Sequence, residues 1–232
     1  MRRDRPEAQE LARPAALPAS AEDVIEALAP LLVDERLARL EAVLAQRTRD
    51  VVVVLEAVDD PRNVSAVLRS ADAFGVQEVH LVRGELPFLA SKLVSQGADR
   101  WLDVIEHADA ASTVTALHAR GFRVYAATMD GELGPAALAA IDKVAIVFGN
   151  EQTGASAALL AACDGRYTIP MRGFSQSLNV SVAAAITMHA ATTGRVGTLG
   201  AEERQELRAR YMLLSVPRAA EVVAEHVQRR RR

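Results

Sequence analysis

VVVVLEAVDDPRNVSAVLRSADAFGVQEVHLV, residues 51–82, is the stretch on which the fold turns. A short β-branched run bounded by turn residues reads as a buried strand. Residues 63–74 then read as a helix, and VQEVHLV as a second strand. The same rhythm continues outward through WLDVIE, a helix over residues 110–120, FRVYAAT, KVAIVFG and RYTIPM, and an alanine-rich helix over residues 180–193 closes the series. Strands that alternate with helices pair in parallel, because each crossover returns the chain to the same end of the sheet. The expected fold class is α/β, a mostly parallel sheet with helices on both faces.

On the N-terminal side, residues 1–19 carry Pro6, Pro14 and Pro18 without strand or helix periodicity and read as a disordered leader. Ser20, followed by Glu22 and Asp23, has the form of a helix N-cap with acids in the first turn. Val33, Leu37, Leu40 and Leu44 then continue an amphipathic helix to about Arg47. On the C-terminal side, a helix from about Ala201 to Gln228, kinked at Pro217, ends in Arg229, Arg230, Arg231 and Arg232. The expected organisation is a leader over residues 1–19, a helical extension over 20–50, the α/β domain over 51–194 and a basic helical extension over 195–232. For 232 residues, one domain with extensions is preferred to two small domains.

Composition narrows the class of function. With half the residues hydrophobic and a quarter charged, the chain is a packed globular one. Its longest uncharged run is too short to span a bilayer, and its first residues lack the apolar segment of a secretory signal, so a cytoplasmic location is expected. The single cysteine, Cys163, can form no internal disulfide and lies in an apolar stretch as plain core. A net charge of -3 speaks against nucleic acid as a partner, but residues 195–232 hold nine arginines against five glutamates. Such a tail is either a phosphate contact or a solvated end.

In sheets of this kind ligands bind beyond the carboxyl ends of the strands, and three loops there carry candidate chemistry. In DDPRNVSAVLRSADAFG, residues 59–75, Asn63 and Arg69 can hold a ribose and a phosphate by directional hydrogen bonds. Equally, Asn63 could cap the helix while Arg69 pairs with Asp72. In IVFGNEQTGAS, residues 146–156, Gly149 and Gly154 permit close backbone approach, and Glu151 is a charge at the end of an apolar strand, where a structural role is less expected. In IPMRGFSQSLNVSVAAAI, residues 169–186, a glycine-containing loop delivers Ser177, Leu178 and Asn179 to a helix start, as caps or as site groups. GFSQS approaches the G-x-S-x-G nucleophile elbow but ends in serine, and neither the dinucleotide nor the P-loop pattern occurs. His80, His107, His118, His189 and His226 lack ligand spacing, so no metal is expected.

Taken together, NVSAVLRSADAFGV, VAIVFGNEQTG and IPMRGFSQSLNVSVAAAI resemble the three motifs of the SpoU/TrmH family of SPOUT RNA 2'-O-ribose methyltransferases, in order, within residues 51–193. The flanking helices are similar to the extensions of its tRNA guanosine-2'-O-methyltransferase branch. The resemblance implies a sheet whose C-terminal part is threaded as a trefoil knot, an exception to ordinary chain topology. It implies S-adenosyl-L-methionine as cofactor, in a pocket lined by Thr128, Met129, Gly149, Glu151, Ile169, Met171, Ser177 and Leu178. It implies RNA, most simply tRNA, as partner, and a homodimer whose isologous interface lets both subunits complete one site. Arg69 would act on the ribose 2'-hydroxyl, with Asn63, Glu151, Ser177 and Asn179 shaping the site. Because a guanidinium keeps its proton to above about pH 12, such an arginine acts more readily by binding phosphate and stabilising the developing alkoxide. Ribosomal RNA is the alternative substrate. A catalytically inactive RNA-binding module of the same fold is the alternative of another class, and the joint presence of all five polar residues argues against it. The acidic core favours a third reading, a small-molecule-binding α/β protein.

Overall fold

The computed structural model describes residues 8–10, 16–82, 89–91 and 97–230. In chain order the elements are β1 (Ala8–Glu10), α1 (Ala21–Leu28), α2 (Asp34–Gln46), β2 (Thr48–Glu56), α3 (Pro61–Ala73), β3 (Val76–Val82), β4 (Leu89–Ser91), β5 (Asp103–His107) and α4 (Ala110–Ala119). They continue as β6 (Arg123–Ala127), β7 (Val144–Phe148), α5 (Ala157–Ala162), β8 (Gly165–Tyr167), α6 (Val180–Thr192), α7 (Ala201–Ser215) and α8 (Ala219–Arg230). The chain divides into two compact units, Met1–Arg13 with Arg49–Arg195, and Pro14–Thr48 with Val196–Arg232.

The first unit holds a parallel six-stranded sheet in the order β5-β3-β2-β7-β6-β8. Its centre explains why the deciding stretch is an unbroken apolar run. Val51, Val53 and Leu55 of β2 enter one core cluster, Val52 and Val54 enter the other, and all five are fully buried. A strand covered on both faces has no polar side to alternate with. β7 repeats the division, with Val144, Ile146 and Phe148 on one face and Ala145 and Val147 on the other. Burial of each Val or Leu side chain contributes about 1.5–3 kcal/mol.

Helices cover both faces, as expected. Val64, Val67, Leu68 and Ala71 of α3 and Val180, Ala184, Met188 and Ala191 of α6 cover the first face, and the two helices pack together. Ala110, Val114 and Leu117 of α4 and Leu159 of α5 cover the second. α5 was not anticipated, because six residues are too few for an apolar period to show. Cys163 ends it as expected core, half-buried, with burial pushing its thiol up to about 11. The histidines also prove structural where they are buried: His80 Nδ1 meets His107 Nε2 at 2.7 Å, and His80 Nε2 meets Glu78 Oε1 at 2.6 Å.

One expectation about the flanks is corrected. In the stretch read as a disordered leader, β1 pairs antiparallel with β4, and a three-residue strand with a distant partner leaves no period in the sequence. The single kinked C-terminal helix is two helices, α7 and α8, interrupted at Val216, Pro217 and Arg218, where Arg218 has φ +56°. Proline lacks the amide hydrogen of the helical ladder and restricts the residue before it, so the helix ends rather than bends. Other parts of residues 1–15, residues 83–88 and 92–96, and Arg231 and Arg232 of the arginine cluster lie outside the described residues.

The second unit is helical. Ser20 caps α1 by accepting from the Asp23 N–H at 3.1 Å, as its sequence indicates. Leu28, Leu44, Leu207, Tyr211, Met212 and Val223 are buried. Arg47, 1% exposed, sets its guanidinium 5.9 Å from the centre of the Tyr211 ring. Asp23, Glu26 and His226 lie close enough to share a metal ion, but the Arg230 guanidinium pairs with both carboxylates at 2.8 Å and already supplies the positive charge.

Candidate active site

α3 and α6 lie on the same sheet face and both begin at the carboxyl edge of the strands. Pro61 opens α3 with its φ already helical, and Asp60 is the N-cap, accepting from the Arg62 N–H at 2.8 Å. Asn63 is therefore not the cap, and its side chain is left for other work. Asn179 is the cap of α6, its Oδ1 accepting from the Ser181 N–H at 2.8 Å, and the amide end of the same side chain points away from the helix.

Those two starts meet the loop after β7 in a directional chain of hydrogen bonds. Asn179 Nδ2 donates to Asn63 Oδ1 at 3.0 Å, and Asn63 Nδ2 donates to Glu151 Oε1 at 2.8 Å. The second carboxylate oxygen of Glu151 lies 3.5 Å from the Asp59 N–H. Glu151 and Asn179 are exposed and Asn63 is half-buried, so the carboxylate is oriented by amides yet open to a ligand. Such a group can accept hydrogen bonds from hydroxyls at a fixed angle.

Arg69 does not join this chain. It is exposed on α3, and among the described residues no hydrogen bond or ion pair engages it, Asp72 included. Six helical residues turn it about 120° from Asn63 and raise it about 9 Å. Ser177 is also exposed and without a hydrogen bond to a described residue.

The residues expected to line a cofactor pocket divide among three loops. The loops after β6 and β8 are knit together: the Thr128 N–H donates to Tyr167 O at 2.9 Å, the Thr168 N–H to Leu133 O at 2.9 Å, and Leu133 bridges Tyr167. A side chain at Gly131 would put its Cβ 2.2 Å from the Tyr167 carbonyl carbon, so the two backbones touch. The loop after β7 closes on itself, Asn150 and Gly154 exchanging backbone hydrogen bonds at 3.1 and 2.9 Å. Gly149 packs so tightly on this loop that an added Cβ would lie 2.1 Å from the Ala155 nitrogen. Residues 169–178, which include Ile169, Met171 and Leu178, make no hydrogen bond to another described residue. Met129 and Met171 are exposed. Apolar side chains beside free backbone donors and acceptors suit a flat heteroaromatic ligand.

Three contributors escaped the sequence reading. Glu56, 7% exposed at the end of β2, accepts from the Ser156 N–H at 2.7 Å and the Ser156 hydroxyl at 2.6 Å. The signal existed, since Glu56 ends an apolar strand much as Glu151 follows one. Asn150 stood in a quoted motif without a role. Arg195 donates to the carbonyls of Ala191, Leu138, Ala139, Ile141 and Asp142, and so fastens the segment between β6 and β7. No local pattern marks it.

Parallel strands whose carboxyl-edge loops gather oriented polar groups define an α/β protein with its ligand site at that edge. Residues 50–189 match the SpoU rRNA Methylase family, and the chain belongs to it. It is 39% identical over 166 residues to the tRNA (guanosine(18)-2'-O)-methyltransferase of Thermus thermophilus, a match covering 70% of this chain and 84% of that protein. It is 34% identical over 166 residues to the enzyme of the same name from Borreliella burgdorferi, covering 71% and 76%. The crystal structure of the A. aeolicus TrmH/SpoU tRNA modifying enzyme superposes with a TM-score of 0.72 at 28% identity, covering 80% of this chain and 98% of that one. The AdoMet-bound rRNA methyltransferase from Sinorhizobium meliloti superposes with a TM-score of 0.57 at 26% identity, covering 63% and 57%.

Proposed function

We propose that this protein transfers a methyl group from S-adenosyl-L-methionine to a ribose 2'-hydroxyl of tRNA, at a guanosine. The observation that carries this reading is the hydrogen-bond chain Asn179, Asn63, Glu151, which unites three motifs distant in sequence at one strand edge. The similarity to the tRNA (guanosine(18)-2'-O)-methyltransferase of Thermus thermophilus supports the substrate. A cytoplasmic location goes with it.

The loops after β6, β7 and β8 fit the adenosyl group by their chemistry, with Met129, Ile169, Met171 and Leu178 as apolar surface, Thr128, Gly149, Glu151 and Ser177 beside them, and free backbone groups in residues 169–178 for the ring edge. Bound there, S-adenosyl-L-methionine supplies an electrophilic methyl carbon on a sulfonium. Glu151, held by Asn63, accepts from ribose hydroxyls and, with Ser177 and Asn179, fixes the sugar so that the 2'-oxygen faces that carbon. Arg69 binds the adjacent phosphate and stabilises charge that develops on the 2'-oxygen as its proton passes to solvent water at this exposed edge and the methyl carbon parts from sulfur, which leaves as a neutral thioether.

The separation of Arg69 from Asn63 around α3 supports a homodimer in which Arg69 of one chain completes the site of the other. Val182 and Ile186, one helical turn apart on α6, are 46% and 41% exposed and offer a self-complementary apolar surface. The contact between Gly131 and Tyr167 supports the threading of a trefoil knot.

The test is incubation of the purified protein with methyl-labelled S-adenosyl-L-methionine and separated tRNA and ribosomal RNA, followed by mapping of the modified ribose. Label in a tRNA guanosine is expected, and label in neither RNA overturns the reading. Arg69→Ala should lower transfer by at least ~100-fold, the scale of a lost charge-stabilising donor, while cofactor affinity stays within about twofold. An Arg69→Ala protein that turned over normally would remove Arg69 from the mechanism.

A further inference from the structure

Two unused features of the β2 turn lie side by side. Ala57 adopts φ +51°, a left-handed conformation that an alanine rarely takes. Its N–H donates to Val82 O at 3.1 Å, and its carbonyl accepts from Asn150 Nδ2 at 2.8 Å. Asn150 Nδ2 also donates to Asp59 Oδ2 at 3.1 Å, and Asn150 Oδ1 accepts from the Gln152 and Thr153 N–H groups at 2.8 and 3.2 Å. Each donor and acceptor of this amide is engaged by the turn after β2 or the loop after β7, leaving no hydrogen for a ligand. Next to Asn150 in sequence is Glu151, and next to Ala57 is Glu56, whose carboxylate holds the far end of the same loop through Ser156. The loop carrying Glu151 is thus bolted at both ends to the turn that leads into α3 and Asn63.

We infer that Asn150 is a positioning residue for methyl transfer, holding the turn at Ala57 in its left-handed form and thereby setting the reach of Glu151 to Asn63. Resting on the proposed reaction, the inference differs from it in that Asn150 touches neither ribose nor cofactor. Without the Asn150 donor, Ala57 relaxes to negative φ, Asp59 shifts, and the carboxylate of Glu151 loses its fixed angle. Glycine at position 57 takes the left-handed form freely and so substitutes in part for the missing amide. Valine there opposes it.

The experiment compares wild type, Asn150→Ala, Ala57→Gly, Ala57→Val and the double variant Asn150→Ala with Ala57→Gly, each at a temperature where circular dichroism shows the wild-type fold. Transfer of labelled methyl to tRNA is measured as kcat and KM, and cofactor affinity by calorimetry. Asn150→Ala should lower kcat about 10–100-fold, the usual effect of removing a group that orients a site residue, with KM for tRNA and cofactor affinity within about twofold. Ala57→Gly should leave kcat unchanged, and in the double variant it should restore kcat at least threefold. Ala57→Val should reproduce the loss without touching Asn150. Wild-type kcat in folded Asn150→Ala, no recovery in the double variant, or full kcat in Ala57→Val would each overturn the inference. If Asn150→Ala and Ala57→Val both fail to fold, the contact is structural and the inference falls. An inactive wild type would instead overturn the proposed reaction, and this inference with it.

Discussion

At the scale of single residues, the buried carboxylates matter most. Glu56 accepts two hydrogen bonds from Ser156. Glu56→Ala removes both acceptors and leaves the Ser156 N–H unpaired, so stability should fall by about 1.5–3 kcal/mol, read from denaturant unfolding. A loss under about 0.5 kcal/mol would show that the contact contributes nothing. Glu78 is the other case. Burial alone would raise its pKa, but hydrogen bonds from His80 and Arg120 and the charges of both outweigh that and bring it down to about 2. His107 is lowered first by burial and then by the neighbouring His80. Both folded values lie below the unfolded ones, so both contributions are complete above about pH 6.5 and are lost on acidification. The His107 part is lost as pH falls below about 6.5, and the Glu78 part between about 4.5 and 2. Unfolding curves between pH 7.5 and 5 should therefore show declining stability in wild type and a flatter profile in His107→Gln. Parallel profiles would remove His107 as the cause. Which polar residues converge was only half legible in sequence. Asn63, Glu151 and Asn179 stood out as polar groups in the loops and helix starts that follow strands, and Glu56 was marked only by its place at the end of an apolar strand, whereas Asn150 acts largely on loop backbone, which leaves no sequence mark.

At the scale of elements, the long runs declared themselves, while of the shortest ones β8 was read from RYTIPM and the others were not. β2 contains, and β7 is, a five-residue apolar run buried on both faces, and α3 and α6 carry buried residues at helical spacing. β1, β4 and α5, at three to six residues, have too few positions for a period. Pro217 shows the limit of a correct local signal, because proline marks the position of a break but not whether the chain continues as one bent helix or restarts. The loop after β6 gives the sharpest prediction at this scale. Gly131 lies against the Tyr167 backbone, and Gly131→Ala would drive a Cβ to within 2.2 Å of it. Backbone cannot move aside as a flexible side chain can, so Gly131→Ala should lower the melting temperature by several degrees and weaken cofactor binding at least tenfold, measured by differential scanning fluorimetry and calorimetry. Unchanged melting and binding would mean that the Gly131 and Tyr167 backbones can part without cost.

At the scale of the whole molecule, the proposed dimer predicts a sedimenting species of twice the chain mass of 24.9 kDa. Ile186→Glu, which places a charge on the exposed face of α6, should shift it toward monomer and reduce transfer, since each site would lose the partner's arginine. A fully active monomer would place Arg69 within its own chain's site. The sequence by itself determined the layered α/β class, the polar groups at the strand edge and the family, because hydrophobic period and motif order are written in local residue choice. Only the tertiary structure decided that Asn63 is free for Glu151 while Asp60 caps the helix, that Arg69 stands apart, and that Asn150 and Glu56 fasten the β7 loop to the β2 turn. Those outcomes depend on which loops the sheet order brings together, and pairing between residues some ninety positions apart is a property of packing rather than of any window of sequence.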